Sequence, residues 1–317
     1  MKDAFVAFGL YALPVVTWVL IYSNSRKIEY VNILIPNVYI AAVIGYLGVI
    51  QYFVSPTLFD LIPLDSNALK WAQGKDFSEY STYLRSTSTL GSPQVFGLYC
   101  ALFSILSFRY IKEIGYFGFI LLIPGLLGGG IVTSNKLFFV VVFGYFAYLI
   151  VSNFVKNIKL VFFAFSVLSV VAITSTFFMD KIPILERVFS VESIIAQEKN
   201  DSRIGRYIYI VGHSDPLVGH GLGTITNKSV EPIRAPESYF FKVYYEAGFV
   251  ITSLLLLLCL YSYLTAKQHC EKDAAIVALT VFGMIVVHAF ESPVFIIIWG
   301  HLIGVVLMNH NKEVVKV

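Results

Sequence analysis

Two arginines and one carboxylate in the C-terminal half of the chain have the residue types needed for phosphate chemistry. Arg203 and Arg206 are three residues apart, so they share one face of a helix. Each guanidinium offers a planar fork of donors that suits phosphate oxygens, although anchoring to lipid headgroups would use the same residues. Glu237 stands at the start of an apolar run. It is a candidate general base for a hydroxyl group, or a helix-start carboxylate that only complements the helix dipole.

A glycine-rich turn follows the arginines, with the sequence GHGLG at 219–223. Alternating glycines allow left-handed backbone conformations and exposed N–H groups, so Gly221 belongs to a candidate anion-binding nest. His220 within this turn is a candidate ligand or proton carrier, or simply an exposed loop histidine. Asp201 or Ser202 can cap a helix that carries both arginines, and Asp215-Pro216 is expected to end it.

Three further residues are candidates for the same site. Arg85 is the last cation of a polar segment at 55–92, and Lys136 occupies a turn between two apolar runs. His288 lies near the C-terminal end of a later apolar run, at 274–290. That end is expected on the same side as Glu237, so both residues can line one cavity.

Two other charges are interpreted as structural. Lys242 and Glu246 are four residues apart in one apolar run and are expected to pair with each other. Histidines, cysteines and acidic residues do not cluster with ligand spacing on the expected outer side, so neither a metal nor a cofactor is predicted.

The composition decides which elements position these residues. The chain has 317 residues, of which 57% are hydrophobic and 14% charged, against about 25% charged in a soluble domain. Three cysteines cannot make a disulfide framework, and a net charge of +3 spread along the chain excludes nucleic-acid binding by bulk charge. The sequence therefore predicts a polytopic membrane protein.

Apolar runs long enough to cross about 30 Å of hydrocarbon predict an all-α bundle of about nine transmembrane helices. They lie at 4–22, 30–54, 93–108, 116–133, 137–155, 160–179, 238–264, 274–290 and 293–308. Two long polar segments, 55–92 and 180–237, interrupt them. Alternate short loops and the C-terminal tail each carry two cations and are placed in the cytoplasm, so both long segments face outward.

The pattern R-x-x-R, D-P-L-x-G-x-G-x-G and P-E-S-Y-x-x-K-x-x-Y-E-x-G resembles the second outer loop and following helix of bacterial O-antigen polymerases. These belong to the O-antigen polymerase and ligase superfamily of membrane glycosyltransferases. Arg85 with Ser92-Pro93 and Phe96-Gly97 is similar to the family's first outer loop. The turn Thr133-Ser134-Asn135-Lys136 resembles another family turn, although arginine is commoner there than Lys136. The resemblance covers roughly 80–310.

The resemblance implies a GT-C-type fold and a site on the outer face of the bacterial inner membrane. There, undecaprenyl-pyrophosphate-linked glycans are both donor and acceptor. Arg203 and Arg206 would then stabilise the pyrophosphate, with Arg85, Lys136, His220, Gly221 and His288 binding pyrophosphate or glycan. Glu237 would be the base of a metal-independent, inverting transfer. A partner that sets chain length is left open.

Two alternatives remain open at this point. An O-antigen ligase would transfer the finished glycan to a lipid A core sugar, but ligases of the superfamily typically have a histidine where Glu237 stands. A polysaccharide transporter or flippase would need broken helices and charge at mid-membrane. Gly128–Gly130 and the pair Lys242 and Glu246 are the features that favour it.

Overall fold

The computed structural model describes residues 16, 30–54, 90, 93–154, 203–221, 238–269 and 271–286. Within these ranges every regular element is an α-helix and no strand occurs. The helices are α1 (Tyr30–Phe53), α2 (Pro93–Arg109), α3 (Ile111–Ile114), α4 (Tyr116–Val132), α5 (Lys136–Phe154), α6 (Arg203–His213), α7 (Tyr239–His269) and α8 (Glu271–Val286). The predicted all-helical class is therefore confirmed for the described residues.

Six of these helices coincide with predicted spans, because long apolar runs in lipid satisfy their backbone only as helices. Two are long and apolar enough to cross a membrane, namely Ile35–Phe53 and Tyr239–Gln268. Shorter apolar helices cover Tyr116–Val132, Lys136–Ile150 and Asp273–Val286. The predicted spans at 4–22, 160–179 and 293–308 lie outside the described helices, so the total of nine stays a prediction.

The chain divides into two compact units, one formed by residues 33–196 and the other by residues 1–32 together with 197–317. The first contains α2 to α5 and nearly all of α1, and we call it the α1–α5 unit. The second contains α6, α7 and α8, and we call it the α6–α8 unit.

Glycines bring α1 and α4 into backbone contact in the α1–α5 unit. A Cβ at Gly129 would lie 2.8 Å from the Cα of Gly45, and one at Gly125 would lie 2.7 Å from the carbonyl oxygen of Ala42. The hydroxyl of Tyr46 donates to the carbonyl of Leu121 at 2.7 Å across the same crossing. Close backbone approach through small residues is the usual way that membrane helices associate, since lipid provides no hydrophobic drive.

Replacing Gly129 by alanine is expected to destabilise the protein by about 1–3 kcal/mol, because the new methyl would collide with the backbone of α1. Gly128 is the matched control, since a Cβ there meets only the Val49 side chain, at 3.1 Å. Gly128→Ala should be neutral or slightly stabilising through its better helix propensity. Thermal unfolding of both variants in detergent checks this. Equal melting temperatures for the two would show that the crossing is not tightly packed.

Candidate functional site

Helix α6 packs against the first turns of α7 through aromatic and apolar side chains. The rings of Tyr207 and Phe241 are stacked, with centroids 4.3 Å apart and planes inclined by 7°. Ile210 and Tyr245 are buried together, with Phe241 and Tyr244 packed against them. The helix predicted to carry the arginines is confirmed, and its positions 203 and 206 lie on the element fixed by these contacts.

Asp215 organises the turn that follows α6. Its Oδ1 accepts hydrogen bonds from the N–H groups of Leu217 at 3.0 Å and Val218 at 3.3 Å. The N–H of Gly219 donates to the Asp215 carbonyl at 3.1 Å. The helix ends at His213, two residues before Asp215, as the sequence predicted. Backbone donation from Leu217, and then from Val218, holds the pKa of the Asp215 carboxyl below its ordinary value.

Helix α7 is broken at Gly248. Residues 215–221, which we call the Asp215 turn, occupy the break. Gly248 has φ 74° and ψ −176°, a conformation that is essentially restricted to glycine. In a continuous helix the N–H of Phe249 would donate to the carbonyl of Tyr245. Here it donates to the carbonyl of Pro216 at 2.8 Å, while His220 N–H donates to Tyr245 at 2.9 Å. The loop therefore replaces hydrogen bonds that the helix loses.

These bonds correct the predicted anion-binding nest. Gly219 and Gly221 do have positive φ values, 71° and 96°, as expected. Their N–H groups and that of His220 nevertheless all donate to backbone carbonyls, with Gly221 bonded to Glu246 at 2.9 Å. The prediction is wrong for these three amides, and Gly219 instead allows close approach to α7. A Cβ on Gly219 would lie 2.6 Å from the Glu246 carbonyl carbon.

The side chain of His220 contacts both the end of α6 and helix α7. Its Nε2 lies 2.8 Å from the carbonyl oxygen of His213, and its ring packs against Tyr245 with centroids 4.4 Å apart. These contacts connect the end of α6 to α7. They give His220 a positioning role that the sequence did not suggest.

Lys242 and Glu246 form the ion pair that their spacing predicted. The Nζ and Oε1 atoms are 3.9 Å apart, and the two residues are only 4% and 1% exposed. Since both charges are buried, removal of either partner is expected to destabilise the start of α7.

Ser238 occupies the N-cap position of α7, immediately after Glu237. Its carbonyl accepts the Lys242 N–H at 3.1 Å. Its Oγ is buried and has no hydrogen-bond partner among the described residues. A buried hydroxyl without a partner is unusual, and Ser238 directly follows the expected base in the chain. The sequence reasoning missed Ser238, although it stands within the P-E-S-Y pattern.

A second cluster of polar side chains lies in the α1–α5 unit, at the turn between α4 and α5. Asn135 caps α5 by accepting the Leu137 N–H at 3.0 Å, and its amide donates to the carbonyl of Gln94 at 3.1 Å. Thr133 donates to Gly130 at 2.6 Å. Ser134 between them has φ 51°, and its Oγ is buried without a partner among the described residues.

The same turn contacts the first turn of α2. A Cβ at Gly97 would lie 2.9 Å from Thr133 Oγ1 and 3.0 Å from Asn135 Cβ, so only glycine fits without a shift. The first residues of α2, at 93–97, are therefore neighbours of the turn at 133–136. The hydrogen bond between Asn135 and Gln94 joins residues that are 41 positions apart in the chain. Lys136 is the first residue of α5 in this arrangement.

The predicted site residues fall into two groups that the structure describes and one that it does not. Positions 203 and 206, His220 and Gly221 belong to the α6–α8 unit, and Lys136 belongs to the α1–α5 unit. Arg85, Glu237 and His288 lie outside the described residues. Within the described ranges no three His, Cys, Asp or Glu side chains converge as a metal site would require. Comparison of the chain with protein-family models, with curated proteins and with solved structures gives no match.

The Asp215 turn is expected to weaken in acid. A carboxyl whose folded pKa is lowered adds stability above its unfolded pKa, near 3.8, and loses that contribution as pH falls through the lowered value. Hydrogen exchange at Leu217 and Val218, corrected for intrinsic rates, should therefore accelerate below about pH 4. Asp215→Asn keeps an acceptor oxygen and should remove this pH dependence, whereas Asp215→Ala should lose protection at every pH. Unchanged protection in Asp215→Ala would contradict the account.

Proposed function

We propose that this chain is a membrane glycosyltransferase that polymerises undecaprenyl-pyrophosphate-linked repeat units into O-antigen or a related surface polysaccharide. The reaction would take place on the outer face of the bacterial inner membrane. The proposal rests on the motif resemblance and on one structural observation, the docking of α6 onto the start of α7. Tyr207, next to Arg206, stacks on Phe241, which is one helical turn after Glu237 in the chain.

That docking supports separate roles for α6, which carries the arginines, and for the start of α7, which follows the base in the chain. Arg203 and Arg206 stand on a helix held by ring stacking and a buried isoleucine, so their backbone positions are fixed before substrate arrives. Preorganised donors stabilise developing charge better than flexible ones, because they need no reorganisation during the reaction. The arginines bind the pyrophosphate of the donor lipid, and Glu237, two residues before α7 in the chain, is the base.

The reaction that follows is a single displacement. Glu237 accepts the proton of a sugar hydroxyl on the acceptor unit, and that oxygen attacks the anomeric carbon of the donor glycan. The bond between this carbon and the pyrophosphate oxygen breaks. Undecaprenyl pyrophosphate leaves as an anion, which the two arginines stabilise. The anomeric configuration is inverted, because one carboxylate acts and no glycosyl-enzyme intermediate forms.

The resemblance also assigns Lys136, in the polar turn before α5, to binding of glycan or pyrophosphate. Lys136 adds a cation at the first residue of α5, where the helix dipole also favours anions. Ser134 has a left-handed backbone conformation that only a few non-glycine residues adopt, and its hydroxyl has no partner in the part of the chain that the structure describes. Both are placed by the packing of Gly97 against Thr133.

A transporter is the second candidate, because one observation favours it. Helix α7 is discontinuous at Gly248 and carries a buried ion pair one turn earlier, and transporters often bind substrates at broken helices. Against it, the loop that fills the break already satisfies the freed backbone groups. A transporter would also need the break at Gly248 to lie at mid-membrane, beside its substrate site.

Purified protein incubated with lipid-linked repeat units separates the candidates. A polymerase produces a ladder of products without nucleotide and in the presence of a chelator. A ligase produces a single new product only when lipid A core is added, and a transporter leaves the glycans covalently unchanged. An absolute requirement for nucleotide or metal would contradict the proposed mechanism.

A further inference from the structure

The tip of the Asp215 turn continues the exposed apolar surface of α7. Leu217 and Val218 are 66% and 72% exposed, and Phe249 and Val250 are 59% and 52% exposed. The hydrogen bond from Phe249 N–H to the Pro216 carbonyl places the two pairs side by side. Large exposed apolar side chains in a contiguous patch indicate contact with a membrane or another apolar partner.

The length of α7 indicates which part of it lies in lipid. At 1.5 Å per residue its 31 residues span about 46 Å, which exceeds the roughly 30 Å of hydrocarbon in a bilayer. The residues from Phe249 to Ala266 contain no charge and span about 27 Å. Lys242 and Glu246 precede this stretch, and Lys267 follows it. The charge-free part alone therefore matches the bilayer.

The N–H groups at the tip of the turn are also satisfied within the protein. The N–H groups of Leu217 and Val218 both donate to the Asp215 side chain, and that of Gly219 donates to the Asp215 carbonyl. Pro216 has no N–H, and its carbonyl accepts from Phe249. Backbone groups in contact with lipid must be satisfied within the protein, whereas a loop in water has no such need.

We propose that the bilayer edge lies at Gly248 and that the Leu217–Val218 tip inserts into the boundary between headgroups and acyl chains. The occupant of this apolar patch is a lipid bilayer. The Lys242–Glu246 pair then lies outside the hydrocarbon, in the protein layer that α6 covers. Insertion of the tip fixes the height of α6 above the membrane. The inference does not depend on the enzymatic proposal.

Depth-dependent quenching of a fluorescent label tests this placement. The full chain carrying Cys270→Ser is reconstituted in phosphatidylcholine vesicles, because Cys100 and Cys259 are buried and shielded from label. An environment-sensitive label is attached to Leu217→Cys or Val218→Cys. Leu257→Cys, 60% exposed on α7, serves as the deep reference. His213→Cys is the reference in water, and it retains the backbone oxygen that His220 contacts.

Labels at 217 and 218 are expected to lose fluorescence mainly to lipids with a nitroxide near the headgroup. The label at 257 should be quenched mainly by a nitroxide near the end of the acyl chain, and the label at 213 by aqueous iodide. Iodide quenching at 217 and 218 equal to that at 213 would overturn the proposal. So would a depth equal to that of 257, which would put the break at mid-membrane, or protection from every quencher, which would show that protein covers the patch.

Discussion

Glu237→Gln is expected to lower the rate of polymerisation by about 10²- to 10⁴-fold, the usual contribution of a general base. Glutamine keeps the size and hydrogen-bonding capacity of the side chain but cannot accept the hydroxyl proton. Chain growth from lipid-linked repeat units, followed on a gel under single-turnover conditions, measures the loss.

The matched control for this variant is Glu113→Gln, which makes the same chemical change at an exposed residue of α3. It should polymerise at the unaltered rate. Both variants should unfold at the temperature of the original chain. Wild-type activity in a folded Glu237→Gln protein would remove the base from the mechanism.

Arg206→Ala is expected to reduce turnover by about 10²- to 10³-fold, as loss of one preorganised donor to a developing anion does. Arg203→Ala should have an effect of similar size if both guanidinium groups share the leaving group, and a smaller one if Arg206 carries most of it. Arg206→Lys should recover part of the activity, because an ammonium retains the charge but loses the bidentate geometry.

Arg109→Ala is the control for the arginine series. Arg109 ends α2, and its guanidinium carbon lies 5.3 Å from the centroid of the Tyr110 ring. Loss of this ring contact should cost about 0.5–1 kcal/mol in stability, and turnover should be unchanged. Full activity in a folded Arg85/Arg203/Arg206 triple alanine variant would reject the pyrophosphate clamp.

The helices were predictable because their signal is local. Apolar runs such as 93–108 and 116–133 differ by only one residue at an end from α2 and α4. Spacing alone also predicted the Lys242–Glu246 pair, since residues four apart on a helix are neighbours. The end of α6 near Asp215 followed from the restriction that proline places on the preceding residue.

What the sequence did not predict depends on contacts between distant segments. The break in α7 requires both the left-handed Gly248 and the carbonyl of Pro216, and neither residue alone indicates it. The glycine turn was predicted as an anion nest because nothing near it in the sequence identifies acceptors for the amides of His220 and Gly221. Those acceptors lie on α7, a helix that begins later in the chain. The packing of Gly97 on Thr133 is equally non-local.

The most direct test of the account is equilibrium binding of the lipid-linked donor to variants that cannot turn it over. The account predicts that Glu237→Gln binds the donor as tightly as the original chain does. The same protein with Arg203 and Arg206 also replaced by alanine should bind about 10²- to 10⁴-fold more weakly, since hydrogen bonds to charged groups contribute about 1.5–3 kcal/mol each. Equal affinity in the two proteins would contradict the claim that these arginines hold the pyrophosphate.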